Sequence, residues 1–170
     1  ANDAAVALAE YVAGSEDEFV RQMNERAKGL GMNDTTFVNC CGLDTDGHMT
    51  SAYDVALMSR ELTVNHPQIH DYCTIWMENI THVTAKGSSE FGLTNTNKFL
   101  KQYPYANGLK TGYTSQSKYC ISATAQKDSL QLITVLMGEP DIPSRVKDLQ
   151  SCMDYGFSRC KLYTDANEDA

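Results

Sequence analysis

A nonapeptide in the second half of the chain reads Ala106-Asn107-Gly108-Leu109-Lys110-Thr111-Gly112-Tyr113-Thr114. Its pattern is typical of a short β-strand, and it carries a cation, a hydroxyl and a glycine in succession. Lys110 offers a point charge with three hydrogen-bond donors, and Thr111 places a hydroxyl beside it. Gly112 removes the side chain where a second backbone must come close. Alone, this triplet is a weak signal, because an exposed turn lysine would produce it equally well.

The two apolar runs that follow this stretch predict a β-hairpin. Residues 118–125 alternate large and small side chains with the period of a strand, and residues 130–137 are apolar and β-branched. Asp128-Ser129 between them is a turn signal. We therefore predict three antiparallel strands over 108–114, 118–127 and 129–138, with the cationic strand at the edge of the sheet.

Helical periodicity and capping signals surround this predicted sheet. We expect helices over 2–13, 16–28, 51–62 and 143–157. Ser15 with Glu18 forms a capping-box pattern, and Ser51 is a second N-cap. Weaker signals indicate an irregular strand pair in 74–84, a turn at 86–89 and a short helix in 94–102. The predicted fold class is α+β, an α/β sandwich in which helices flank an antiparallel sheet.

Composition limits the classes of function. The chain has 170 residues, 42% of them hydrophobic, which suffices for one domain with a sizeable core. Its net charge of −8 and pI of about 4.9 argue against a nucleic-acid partner, because phosphate binding needs concentrated Lys and Arg. No apolar run approaches the roughly 20 residues of a membrane span. Residues 1–160 are expected to form the domain, and 161–170 an acidic tail.

The cysteines and histidines favour neither a disulfide framework nor a metal centre. The six cysteines include no C-x-x-C pair, and free thiols are the favoured interpretation. His66, His70 and Cys73 have a spacing that could hold zinc, but Pro67 interrupts them and no fourth ligand is near. The sequence therefore predicts no metal and no cofactor.

Four stretches, taken together, carry a family resemblance. They are Ala1-Asn2-Asp3-Ala4; Tyr11 to Ser15 with Phe19, Val20, Met23 and Asn24; Gly42-Leu43-Asp44 through Gly47-His48 to Ser51-Ala52-Tyr53-Asp54; and Thr94 to Lys98 with Gly108 to Thr114. In these stretches the chain resembles the penicillin-binding D-alanyl-D-alanine carboxypeptidases, the serine peptidases that trim cell-wall peptides. The resemblance extends over nearly all of residues 1–158, and its motifs arrive in the order of the family.

The family works with the motifs Ser-x-x-Lys, Ser-x-Asn and Lys-Thr-Gly. The resemblance makes Asn2 the end of the second motif, so that its serine and the whole nucleophile motif would precede Ala1. The chain also begins without Met or a basic leader, and it has the appearance of a cut piece. We therefore expect the later part of a β-lactamase/DD-peptidase-like catalytic domain, without its N-terminal strands and nucleophile helix and inactive alone.

The resemblance assigns roles to particular residues. It implies that Asn2 and Lys110 are catalytic and that Thr111, Gly112 and Tyr113 bind substrate, the last through its backbone N–H in the oxyanion hole. The implied substrate is a peptidoglycan stem peptide ending in D-Ala-D-Ala, and β-lactams would enter the same site as mimics. The implied location is extracytoplasmic. The missing N-terminal half is an expected partner, and exposed apolar surface predicts self-association.

Two other interpretations remain open at this point. Glu61, Val64 and Asn65 superficially imitate the deacylating glutamate motif of class A β-lactamases, which share Lys-Thr-Gly. A solvated residue at the end of a helix is the simpler interpretation of Glu61. The second alternative is a non-catalytic peptidoglycan-binding module that keeps the fold.

Overall fold

The structure is a computed structural model that describes residues 2–160, so the predicted tail over 161–170 lies outside the described residues. Its helices are α1 (Asn2–Ala13), α2 (Glu16–Gly29), α3 (Ala52–Asn65), α4 (Ile69–Cys73), α5 (Phe99–Gln102) and α6 (Ile142–Arg159). Its strands are β1 (Met77–Thr84), β2 (Gly87–Thr94), β3 (Ala106–Thr114), β4 (Lys118–Lys127) and β5 (Leu130–Glu139). None of these helices has the length and apolar character that spanning a membrane requires.

The three predicted strands form one antiparallel sheet in the order β3-β4-β5. Thr111 pairs with Ile121, and Ile121 pairs in turn with Leu136. Strand β3, which carries the Lys-Thr-Gly triplet, is therefore an edge strand, and one of its sides has no partner strand among the described residues. The prediction of these three strands is confirmed, with bounds that differ from the predicted ones by at most two residues.

Helices cover both faces of this sheet. Ile121, Ala123 and Ala125 of β4 point to one face, where they pack with Leu149 and Met153 of α6 in the main core cluster. On the opposite face, the Ser122 hydroxyl lies 2.7 Å from that of Ser59 in α3, in a buried hydrogen bond. The predicted α+β sandwich is thus confirmed.

Capping explains where the longer helices begin. The hydroxyl of Ser15 accepts the Glu18 N–H at 3.1 Å, and that of Ser51 accepts the Asp54 N–H at 3.2 Å. Both N-caps were predicted. The capping box at Ser15 forms only in part, because the Glu18 carboxylate binds the Arg21 guanidinium on the exposed face of α2 instead.

The segment between α3 and β3 differs from prediction. Strands β1 and β2 form an antiparallel hairpin over Met77–Thr94, with the turn at residues 85–86, so the expected pair within 74–84 and the turn at 86–89 are misplaced. Every residue of both strands is exposed, and the apolar alternation that locates a half-buried strand is absent from this segment. Short helix α4 was not predicted, and α5 occupies only four residues of the stretch 94–102.

Candidate active site

A cleft of about 520 Å³ opens along β3. Its walls come from β3, the first residue of α1, the loop before α3 and the start of α6. The lining residues are Asn2, Cys41, Gly42, Leu43, Thr96, Lys110, Thr111, Gly112, Tyr113, Thr114, Ser117, Tyr119, Ile142 and Arg145. Its size is in the range of small-molecule and peptide-binding sites.

All five residues that the sequence singled out line this one cleft. Asn2 begins α1 and Lys110 lies in the middle of β3, and more than a hundred residues of chain fold back to bring them together. Thr111, Gly112 and Tyr113 continue along the same wall. The structure therefore brings these five residues together in one cleft, as predicted.

The ammonium of Lys110 lies in a partly desolvated position. Much of the side chain is exposed, but its Nζ donates a hydrogen bond to the backbone carbonyl of Thr111 at the cleft wall. Loss of water around the charged head lowers the pKa of Lys110 below its ordinary value of 10.5. Within residues 2–160 Lys110 forms no ion pair, so a carboxylate that entered the cleft would supply a counter-charge.

The hydroxyl of Thr111 is held by a residue that sequence reasoning missed. Thr96 Oγ1 lies 2.7 Å from Thr111 Oγ1, and either hydroxyl can be the donor. Thr111 is buried, whereas Thr96 is exposed at the cleft wall. The neighbouring Asn97 side chain donates to the Gly108 carbonyl at 3.2 Å, which fixes the same segment against the start of β3.

Arg145 is a second cation in the lining of the cleft, and the sequence analysis did not identify it. Arg145 of α6 is only 4% exposed, and its Nη1 donates to the Cys120 carbonyl at 3.1 Å. Its guanidinium lies 5.9 Å from the ring centre of Tyr119, and its buried Nε has no hydrogen-bond partner among the described residues. Burial lowers the pKa of Arg145, although a guanidinium stays charged at neutral pH.

Gly108 and Gly112 serve different purposes on β3. A Cβ at Gly108 would lie 2.7 Å from Thr124 Oγ1 and 3.1 Å from Cys73 Sγ, so packing inside the chain requires glycine there. A Cβ at Gly112 would meet only the Cys120 Cβ, at an ordinary 3.9 Å. Because the fold itself leaves room at Gly112, any need for glycine there would come from a ligand that approaches β3.

His70 and Cys73, whose spacing in the sequence could suit a metal site, contact β3 and hold α4 against it. His70 Nδ1 lies 2.7 Å from the Asn107 carbonyl, and its Nε2 lies 3.2 Å from the Gln131 amide. Cys73 Sγ also donates to the Asn107 carbonyl, at 3.5 Å. Within residues 2–160, no three His, Cys, Asp or Glu side chains are grouped as a metal site would need.

Three serines of the described chain are engaged in hydrogen bonds within the fold. Ser15 and Ser51 are N-caps of helices, and Ser117 bonds to Thr114 at 2.7 Å at the rim of the cleft. Residues 115–118 have Ser-x-x-Lys spacing, but they form the turn between β3 and β4 and Lys118 has a φ of 56°. This backbone is not helical, so it does not stack the serine and lysine as a helix would.

Glu61 does not lie at the cleft. Its carboxylate forms an ion pair with Arg26 of α2 and accepts a hydrogen bond from Asn65 at 2.7 Å. Both partners belong to the helical layer, and Glu61 is not among the residues that line the cleft. Its position therefore offers no support for the role of a deacylating base.

Comparison with known proteins shows which protein family this chain matches. The D-alanyl-D-alanine carboxypeptidase family matches residues 1–141. The chain belongs to this family. The resemblance seen in the sequence motifs is thus confirmed over most of the chain, including the whole Lys-Thr-Gly strand.

A curated relative shows how much of the family architecture is present. The chain is 40% identical over 162 residues to the D-alanyl-D-alanine carboxypeptidase DacF of Bacillus subtilis. The match covers 95% of the chain but 41% of that protein, so the chain spans about two fifths of its relative's length. Because of this partial coverage, the activity of the whole protein is a proposal for this chain.

Solved structures agree with the fold. A mutant of the Streptomyces K15 DD-transpeptidase superposes with a TM-score of 0.84 at 26% identity, covering 92% of the chain and 63% of that protein. Penicillin-binding protein D2 of Listeria monocytogenes, solved with cefotaxime bound, gives a TM-score of 0.78 at 34% identity and covers 92% and 61%. The predicted DD-peptidase-like fold is confirmed by these similarities.

Proposed function

We propose that this chain is the later part of the catalytic domain of a serine-type D-Ala-D-Ala carboxypeptidase that trims peptidoglycan stem peptides outside the cytoplasmic membrane. One observation carries the proposal: the Lys110 ammonium, the Thr111 hydroxyl and the Arg145 guanidinium line a single cleft. Of the described residues that line it, none is acidic, although the whole chain has a net charge of −8. The cleft is therefore suited to an anion.

The carboxylate of the leaving D-alanine is the anion that this geometry fits. Lys110 supplies a compact positive charge, and Thr111 supplies a hydroxyl whose orientation Thr96 fixes. Arg145 supplies a guanidinium that acts on the cleft through its charge, since its Nε is buried. Together these groups would select a peptide with a free C-terminal carboxylate and hold it in register.

The free edge of β3 offers a place for the rest of the peptide. An extended stem peptide can add to this edge as a further strand, with backbone hydrogen bonds that are insensitive to side chain. Glycine at 112 leaves room for such an approach. By similarity to the family, the Tyr113 N–H would donate to the developing oxyanion, and the Asn2 amide, which belongs to the lining of the same cleft, would hydrogen-bond the substrate.

The attacking serine and its activating lysine would come from residues outside these 170, as the family motif order implies. In the proposed reaction, the serine Oγ attacks the penultimate D-Ala carbonyl and D-alanine leaves, after which water hydrolyses the acyl-enzyme. This chain would bind, orient and stabilise. It would therefore be inactive alone and would depend on contact with the part of the domain that carries Ser-x-x-Lys.

β-Lactams are the second class of ligand in this proposal. The similar Listeria protein D2 has been solved in cefotaxime-bound and ampicillin-bound forms. A β-lactam carries a carboxylate beside its reactive amide, so the same cations would receive it. A non-catalytic peptidoglycan-binding module would share this carboxylate site and would differ only in lacking an attacking serine.

Calorimetric titration with N-acyl-D-Ala-D-Ala and with the same peptide as its C-terminal amide tests the proposed site. We expect the free acid to bind at least about tenfold more tightly, since charge-assisted hydrogen bonds are worth roughly 1.5–3 kcal/mol. Lys110→Gln should abolish that preference, and Lys127→Gln, an exposed lysine at the end of β4, should preserve it. Equal affinity of the unchanged chain for acid and amide would refute the carboxylate site.

A further inference from the structure

A thiol lies in the wall of the candidate cleft. Cys41 is half-buried and lines the same cavity as Lys110 and Arg145, from the loop that precedes α3. Within residues 2–160 the hydrogen bond of its Sγ is a weak donation to the Asn39 side-chain oxygen at 3.6 Å. That contact leaves the sulfur available to a molecule that enters the cleft, and the proposed hydrolysis assigns this sulfur no task.

The adjacent Cys40 is placed differently. Its Sγ turns towards α2 and donates to the Glu16 carboxylate at 3.3 Å. Burial, together with that carboxylate, raises the pKa of the Cys40 thiol. Because the thiolate is the attacking species, this shift makes the Cys40 thiol less reactive at neutral pH than an ordinary thiol. Cys40 can therefore serve as an internal control when the reactivity of Cys41 is measured.

The rest of the cleft shows which reagents would reach Cys41. Its charged lining residues are the cations Lys110 and Arg145, and of the described residues there none is acidic. Arg145 is 4% exposed and its buried Nε is unpartnered within residues 2–160. A small molecule with a carboxylate would be drawn to these cations while the rest of the molecule lies against the Cys41 wall.

We propose that Cys41 is a modification site for small disulfides that carry a carboxylate. The Cys41 thiol gives its proton to solvent, and the resulting thiolate attacks one sulfur of the incoming disulfide. A new S–S bond joins Cys41 to one half of the reagent, and the other half departs as a thiolate. The bound half occupies the cleft, and any free thiol reverses the exchange.

Modification of Cys41 would interfere with substrate binding, because the adduct and the substrate would occupy the same cleft. An adduct on Cys41 with its carboxylate at Lys110 would exclude a second carboxylate from the cleft. This blocking effect rests on the proposed function, whereas the modification itself rests only on the thiol and the two cations. The two claims are separable by experiment.

The test measures labelling rates of each cysteine by peptide mass spectrometry with two reagents. One is the dianionic 5,5′-dithiobis(2-nitrobenzoate) and the other is the neutral 2,2′-dithiodipyridine. We expect the ratio of anionic to neutral rate to be at least about tenfold higher at Cys41 than at exposed Cys152 of α6, since a cleft of one charge raises encounter rates by this order or more. Lys110→Gln should reduce the ratio at Cys41 alone.

Two variants complete the test. Cys41→Ser should remove the anion-selective adduct, and Cys40→Ser should leave it in place. Equal ratios at Cys41 and Cys152, or a ratio at Cys41 that Lys110→Gln does not change, would overturn the modification site. Slower labelling of Cys41 in the presence of N-acyl-D-Ala-D-Ala would support the blocking effect. Absence of that protection alone would count against the proposed substrate, while the modification site would stand.

Discussion

Thr96 Oγ1 and Thr111 Oγ1 lie 2.7 Å apart across the wall of the cleft. Thr96 follows the exposed β1–β2 hairpin, and Thr111 lies in the edge strand that carries Lys110. The contact ties a connecting segment to the strand, and it orients the hydroxyl that would receive a carboxylate beside the Lys110 ammonium. Several properties of the cleft depend on this arrangement and can be measured.

Thr96→Val keeps the shape of the side chain and removes its hydroxyl. We expect affinity for N-acyl-D-Ala-D-Ala to fall roughly fivefold, the equivalent of about 1 kcal/mol for one lost hydrogen bond. Thermal stability should change little, because Thr96 is exposed. Thr81→Val provides a matched control, since Thr81 also bonds through its hydroxyl, to Glu90 in the hairpin. Equal effects of both variants on binding would contradict the role assigned to Thr96.

The lowered pKa of Lys110 gives binding and stability opposite dependences on pH. Carboxylate affinity needs the ammonium, so it should fall as pH rises through a Lys110 pKa that lies below 10.5. Folding stability should change the other way. The unfolded chain holds this proton more tightly, so the desolvation cost is present below the folded pKa and is relieved between that pKa and 10.5.

Comparison of the unchanged chain with Lys110→Gln isolates this group from other residues that titrate in alkali. We expect the pH-dependent loss of peptide affinity to disappear in the variant. Calorimetric titrations from pH 7 to 10.5, with urea unfolding at the same pH values, provide the measurement. Identical pH profiles for the two chains would show that Lys110 does not control the cleft.

Gly108→Ala and Gly112→Ala separate folding from binding on one strand. The first places a Cβ at 2.7 Å from Thr124 Oγ1, and we expect it to destabilise the fold by about 1–3 kcal/mol. The second meets only an ordinary contact, so its free energy of unfolding should stay within about 1 kcal/mol of that of the unchanged chain. Its affinity for the peptide should fall. Urea unfolding and peptide titration check both variants. A stable Gly108→Ala protein would contradict the packing described here.

Glu61→Gln tests the β-lactamase interpretation. The change removes an ion pair with Arg26 on the helical layer, and we expect a loss of stability of at most about 1 kcal/mol. Cleft ligands should bind unchanged, because Glu61 contacts Arg26 and Asn65 and does not line the cleft. Weaker binding of a β-lactam or peptide in this variant would show coupling that the geometry does not provide.

Local signals in the sequence were sufficient for most of the fold. The N-caps Ser15 and Ser51 located two helices, and the alternation around Ile121 located the central strand. These features depend on neighbours within a few residues, so they are visible in the sequence. The hairpin over Met77–Thr94 was not, because its strands are exposed on both faces and carry no apolar period.

The cleft was only partly visible in the sequence. Lys110, Thr111 and Gly112 stand together in a motif, and resemblance added Asn2. Thr96 lies in the stretch Thr94 to Lys98 that carries the resemblance, but nothing there assigned it a role. Arg145 was also missed, and only the packing of α6 and of the segment after the hairpin brings the two residues to the cleft. The available signal for Arg145 was its position four residues before Leu149, which puts it on the same helix face as Leu149 and Met153.

Labelling with fluorescent penicillin, followed by mass spectrometry of the labelled peptide, tests the central claim most directly. The 170-residue chain alone should acquire no covalent label, because Ser15, Ser51 and Ser117 are bonded within the fold and no hydrogen bond within residues 2–160 joins them to a lysine or histidine. Mixed with a polypeptide that carries the Ser-x-x-Lys segment of the family, label should appear on that polypeptide and be lost with Lys110→Gln. Label on a serine of the 170-residue chain itself would contradict the account.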